Sequence, residues 1–146
     1  MNIVFVCTGN TCRSPLAEVI AVKVFEEKGI EADIISRGLS VAYPTSASVN
    51  SKKTAYEMGL SLDDFISHQL TYDDIEWADV VITMTSAHRA AVENVCYEKG
   101  TDILTLAEAA GENADVSDPF GGDLETYRKC ACQIKEYIEK MADRLV

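Results

Sequence analysis

The chain has 146 residues, 47% of them hydrophobic and 25% charged, which suits a compact core and excludes disorder, collagen-like repeats and low complexity. Thirteen Lys and Arg against 24 Asp and Glu leave a net charge of -11, a field that repels a phosphate backbone and argues against nucleic-acid partners. It favours substrates carried on basic surfaces instead.

No apolar run approaches the ~20 residues of a membrane span, and Met1 to Cys7 is too short for a signal peptide. The expectation is a cytoplasmic protein with no membrane partner. Five cysteines (Cys7, Cys12, Cys96, Cys130 and Cys132) form an odd set, read as reduced thiols. His68 and His88 fall in no metal-binding spacing, so neither a structural metal nor a cofactor is expected.

Asn2 to Val6 is a continuous apolar run, as a strand buried on both faces requires. After a polar loop, Ser14-Pro15 opens a helix with its proline in the first turn. Leu16, Val19, Ile20 and Val24 give it a stripe of period 3.6, and Gly29 stops it. Ala32 to Ser36 is a second strand, ended by Gly38. Residues 39 to 48, with Tyr43-Pro44, form a surface loop, and a short helix runs from about Asn50 to Met58 before Gly59. Thr71 and Asp74 suit a capping box, with Leu70 as its staple, for a helix through Trp77. Asp79 to Met84 is a third buried strand. Thr85 or Ser86 caps the helix from Ala87 to Tyr97, and Asp102 to Leu106 is a fourth strand. A Gly-, Asn- and Asp-rich loop spans about Gly111 to Gly122. Tyr127, Ala131, Ile134, Ile138, Met141 and Leu145 then mark a long closing helix. Strands alternating with helices predict an α/β fold, an open four-stranded parallel sheet with helices on both faces. Chemistry in such folds collects beyond the carboxyl ends of the strands, which points to the loop after the first strand.

That loop reads Cys7-Thr8-Gly9-Asn10-Thr11-Cys12-Arg13-Ser14. Gly9 and Asn10 tolerate left-handed backbone angles, so the loop can curl and turn its N–H groups inward. A nest of this kind at a helix N-terminus binds a phosphate-sized anion, inorganic phosphate or vanadate included. Arg13 adds a planar fork of donors matched to two phosphate oxygens. The same field favours a thiolate on Cys7, with Ser14 placed to donate to the sulfur. For a cysteine alone, the plain reading is a buried strand-end residue. The surrounding Gly9, Asn10, Arg13 and Ser14 favour a nucleophile.

Cys-x5-Arg-Ser-Pro after an N-terminal strand resembles the low-molecular-weight protein tyrosine phosphatase family, and the similarity covers nearly the whole chain. Ser36-Arg37-Gly38 resembles the family's Ser-Ala-Gly turn, Met84-Thr85 stands at the end of the third strand, and Asp118-Pro119 matches the acid-bearing Asp-Pro. Thr11 and Asp118-Pro119-Phe120-Gly121-Gly122 look most like the bacterial protein arginine phosphatases. Tyrosine-directed members usually carry a bulky aliphatic residue at the Thr11 position and two aromatics after Asp-Pro. The resemblance implies a single phosphatase domain over residues 1–146, Rossmann- or flavodoxin-like in its winding. It implies metal-independent hydrolysis of phosphoarginine on proteins through a phosphocysteine. Cys7 would attack, Asp118 would protonate the leaving group and then deprotonate water, and Arg13 with the loop N–H groups would hold the transferring oxygens. Thr8, Gly9, Asn10, Thr11, Cys12, Ser14 and Phe120 would complete the binding site. By the same resemblance, Cys7 and Cys12 can form a reversible, protective disulfide. A small packing role for Cys12 is the alternative.

Some features depart from that pattern or lie outside it. Family members often carry a histidine six residues before Thr71, where Phe65 stands, so Ser36 needs another partner. Arg37 replaces the usual alanine. His68 and His88 are read as surface or helix histidines, Asp115 and Asp123 as solvated, and the 39–48 loop as a pocket wall in which Tyr43 is a weak candidate. Cys96, Cys130 and Cys132 are expected on helices, in the core or at its rim. Phosphotyrosine hydrolysis is the main alternative function. Thioredoxin-coupled arsenate reduction needs two further cysteines in the region of Cys96, and only Cys96 is there. A phosphocarrier and a catalytically silent anion-binding module complete the alternatives.

Overall fold

The computed structural model describes residues 1–95 and 101–145. Its elements in chain order are β1 (Asn2–Cys7), α1 (Arg13–Glu27), β2 (Asp33–Gly38), α2 (Val49–Glu57), α3 (Tyr72–Trp77), β3 (Val80–Thr83), α4 (Ser86–Val95), β4 (Asp102–Thr105), α5 (Leu106–Ala110) and α6 (Leu124–Leu145). The four strands pair in parallel in the order β2-β1-β3-β4. This is the expected α/β sheet. Its strand order reverses at β1, so the crevice beyond Cys7 is the switch point where such folds bind ligands.

Alternation along β1 sorts the core into two layers. Ile3, Phe5 and Cys7 pack with residues of α1, α2, α5 and α6. Val4 and Val6 pack with Ile75 of α3, Val81 of β3 and Val92 of α4. Helices therefore cover both faces, the first layer being much the larger. Fully buried Phe5, Leu16, Ile20 and Ile134 each contribute roughly 1.5–3 kcal/mol by leaving water.

Helix ends follow local chemistry. Gly29 and Gly59, with φ of 71° and 77°, terminate α1 and α2, and the chain folds back through Ile30 N–H to Phe25 O and Leu60 N–H to Ala55 O. Thr71 and Asp74 form the anticipated capping box on α3. Thr85 rather than Ser86 caps α4, its Oγ1 accepting from His88 N–H at 3.1 Å. The five-residue α5 was not anticipated. A second capping box, Thr105 with Glu108, holds it. Leu145, expected in the apolar stripe of α6, is 43% exposed. Cys96 and Tyr97, expected at the end of α4, lie outside the described residues. Among the described residues no helix is long and apolar enough to cross a membrane.

Candidate active site

Cys7 ends β1 opposite Gly38 in the parallel register. A Cβ on Gly38 would lie 2.8 Å from Thr8 O and 2.5 Å from Val41 Cγ2, so only glycine lets β2 approach the loop this closely. The residues beyond β2 then fasten the loop from outside. Leu39 and Ser40 N–H donate to the carbonyls of Cys7 and Thr8, both at 3.0 Å, and Ser48 N–H to Thr11 O at 2.9 Å. In a planar trans peptide the next N–H points opposite to the carbonyl. Tying these carbonyls outward therefore turns the N–H groups of Thr8, Gly9 and Cys12 inward. Arg13 follows with α1, whose N-cap, Cys12, makes no side-chain cap bond and whose first turn holds no acidic residue. Its free N–H groups and dipole are left for an anion.

Asn10 locks the curl. It is fully buried, with φ of 56°, and its Nδ2 donates to Ser14 Oγ at 2.8 Å and Ser36 Oγ at 3.0 Å. Its Oδ1 accepts from the backbone N–H of His68 at 2.9 Å. Because Ser14 Oγ accepts from Asn10, its own proton is free for Cys7 Sγ, 2.9 Å away. Ser36 finds its other partner in Asn10, with Glu18 close by. Burial holds the Glu18 carboxyl above the usual range, opposed by hydrogen bonds from Ser36 and by the charges of Arg37 and His68.

A cleft of about 270 Å³ opens over this loop, lined by Cys7, Thr8, Gly9, Thr11, Cys12, Arg13, Asp118 and Phe120. Asn10 and Ser14 sit behind it. The Arg13 guanidinium is buried, anchored by Nη1 to Val116 O at 2.9 Å, with Nη2 3.8 Å from Asp118 Oδ2. Val116 N–H in turn bonds Met84 O at the end of β3, which seats the 111–122 loop across the crevice. Asp118 itself is open to solvent, its Oδ1 accepting from Phe120 N–H at 3.0 Å. Such a cleft offers N–H donors and a guanidinium to an anion, a sulfur beneath it, and a carboxyl at its mouth.

Several expectations change. Of the two residues that tolerate left-handed angles, Asn10 is the one that adopts them, and Gly9 has room for a Cβ with only Thr11 Oγ1 at 3.7 Å. The 39–48 loop braces the loop from behind and does not line the cleft, and Tyr43 is 70% exposed. His68 is the surface histidine expected, its side chain exposed and its backbone N–H bonded to Asn10. His88 is no surface residue: it is buried against Thr8, Nε2 2.9 Å from Oγ1. Its position three residues past Thr85, with an N-terminal turn facing the crevice, was the available signal. Asp115 and Asp123 are solvent-exposed and also hold helix starts, bonding Ser86 and Thr126. Arg37 pairs with Asp74 at 3.0 Å, tying β2 to the cap of α3. Cys12 Sγ meets Tyr127 Oη at 3.3 Å and Ser48 Oγ at 3.6 Å. Burial drives the Tyr127 phenol up to about 12, helped by its bond to Cys12. Cys130 is buried, its thiol pushed up to about 12 by that burial, and Cys132 is exposed.

The family model for low molecular weight phosphotyrosine protein phosphatases matches residues 2–146. A protein-arginine-phosphatase of Bacillus subtilis (strain 168) is 32% identical over 146 residues, covering 99% of this chain and 97% of the relative. PtpB of Staphylococcus haemolyticus (strain JCSC1435), a low molecular weight protein-tyrosine-phosphatase, is 38% identical over 141 residues, covering 97% of each. Among solved structures, a mutant YwlE arginine phosphatase with a phosphorylated active-site serine superposes with a TM-score of 0.93. It is 33% identical, over 99% of this chain and 95% of that one.

Proposed function

The chain belongs to the low molecular weight phosphotyrosine protein phosphatase family, and from that premise we propose that it hydrolyses phosphoarginine on proteins. The Cys7 thiolate attacks phosphorus in line, forming the S–P bond as the P–N bond to the guanidine breaks. Asp118 gives its proton to the departing nitrogen. Water then attacks the phosphocysteine, Asp118 takes its proton, and the S–P bond breaks to release phosphate and the thiolate. Ser14 eases that departure by donating to the sulfur. Arg13 and the inward N–H groups of Thr8, Gly9 and Cys12 balance the charge on the equatorial oxygens, and would hold inorganic phosphate or vanadate in the same way.

The observation that carries this reading is the directed chain Asn10 to Ser14 to Cys7, which aims a donor at the sulfur inside an anion-accepting cleft. Thr11 supports the substrate class. It lines the cleft, and the one hydrogen-bond contact of its hydroxyl among the described residues is a long 3.8 Å to Cys12 Sγ, so the hydroxyl remains available to a guanidinium. Past Asp118-Pro119, the single aromatic Phe120 followed by Gly121 leaves one wall rather than two. Phosphotyrosine hydrolysis is the second reading, favoured by the 38% identity to PtpB.

Steady-state kcat/KM for phosphoarginine and phosphotyrosine decides between them. Phosphoarginine is expected to be preferred by about 10-fold or more, and Thr11→Ile to narrow or reverse that ratio. A wild-type preference for phosphotyrosine overturns the arginine assignment and leaves the Cys7 chemistry standing.

A further inference from the structure

The reaction cycle above makes no use of His88, although its Nε2 lies 2.9 Å from Thr8 Oγ1 at the edge of the cleft. The residue is 7% exposed, and its other ring nitrogen, Nδ1, is buried without a hydrogen-bond partner among the described residues. Burial first and the Arg13 guanidinium second lower its pKa from the ordinary 6.5, against the pull of Asp118 and Asp115. The ring is therefore neutral at pH 7 and carries one proton.

That proton has two places to go. On Nδ1 it would be an orphaned buried donor, which proteins almost never leave. On Nε2 it is used, and only an acceptor lone pair goes unfilled. The ring therefore donates Nε2–H to Thr8 Oγ1. A hydroxyl that accepts from the ring keeps its own proton for another acceptor. Thr8 is exposed and lines the cleft beside Cys7 and Arg13. The acceptors that an occupied cleft brings there are phosphoryl oxygens.

We propose that His88 is a positioning residue that fixes the Thr8 hydroxyl as a hydrogen-bond donor to the bound phosphoryl group. With the opposite tautomer the hydroxyl proton would point back into the ring, and Thr8 would show an anion only lone pairs. The pair thus sets the sign of a dipole at the cleft edge, 80 residues apart in sequence. The inference needs an anion in the cleft and is independent of the amino acid that carried it.

Inorganic phosphate, as a competitive inhibitor, is the probe. Thr8→Val should raise its inhibition constant roughly 10-fold, the scale of one hydrogen bond to a charged acceptor. His88→Ala should do nearly as much, and His88→Gln, whose amide nitrogen reaches the Nε2 position, should recover most of the loss. In a Thr8→Val background, His88→Ala should add nothing. Additive losses, or no response to Thr8→Val, overturn the inference. Imidazole ¹⁵N shifts of the wild-type protein test it without any variant: a proton on Nε2 supports it and a proton on Nδ1 ends it. If the wild type ignores inorganic phosphate, the anion-cleft reading falls as well. If it binds phosphate but the variants match it, only the inference falls.

Discussion

The two walls of the cleft are built on opposite plans. The Cys7–Ser14 loop is a closed network: Asn10, Arg13 and Ser14 are buried, and Asn10 alone bonds Ser14, Ser36 and the backbone of His68. The facing 111–122 loop is pinned through Val116, yet the side chains it presents to the cleft stand in solvent, Asp118 at 58% and Phe120 at 78% exposed. Phosphoryl transfer asks for this division. The phosphoryl group is the same in every substrate, so its wall gains from preorganisation. The leaving group is part of a protein surface, and the wall facing it must admit large partners and then shed them.

If that contrast holds, substitutions on the open wall should change rate without stability, while substitutions behind the closed wall change both. Asp118→Ala should lower kcat by about 10²- to 10⁴-fold, the usual range for a lost general acid, with an unchanged Tm. The loss should shrink for an aryl phosphate whose phenol departs without a proton. An equal loss on both substrates would mean that Asp118 acts by charge alone.

Behind the closed wall, Gly38→Ala forces a Cβ against Thr8 O and should cost about 1–3 kcal/mol of stability, seen in denaturant unfolding, together with weaker binding of inorganic phosphate. A stable variant with intact phosphate affinity would show that the loop keeps its shape without this contact.

The smallest effect is in pH. The unfolded chain takes up a proton on His88 near the ordinary 6.5, whereas burial and Arg13 keep the folded ring neutral to lower pH. Unfolding free energy should therefore fall as pH drops below about 6.5, levelling off once the folded ring is protonated. His88→Gln should remove that component when denaturant midpoints are compared over roughly pH 5 to 8. A wild-type slope retained in the variant would assign it to another group.

The closed wall was the more legible of the two in sequence. Its parts are contiguous, Cys7 through Ser14, and strand, turn residues and helix start follow from local rules. The sheet was legible because its strands are continuous apolar runs, and the major helices because their stripes repeat over several turns. The five-residue α5 is too short to show a period, although its capping box, Thr105 and Glu108, stood in the sequence as a signal. Three features depended on contacts distant in the chain: Gly38 against Thr8, Ser36 against Asn10, and His88 against Thr8. No periodicity reports such pairs. Which of the two tolerant residues, Gly9 or Asn10, takes the left-handed angle was not legible for a different reason. Residue type states what a backbone tolerates, and the hydrogen bonds of Asn10 decide which residue turns.

The central claim is that one sulfur, Cys7 Sγ, carries the phosphoryl group between substrate and water. Acid-quenched Asp118→Ala protein, mixed with a phosphoarginine-bearing protein and digested for mass spectrometry, tests it most directly. Phosphate attached to the Cys7 peptide, together with loss of hydrolysis in a separate Cys7→Ser variant under turnover conditions, is the result expected. Undiminished hydrolysis by Cys7→Ser, or phosphate recovered on another residue, would contradict it.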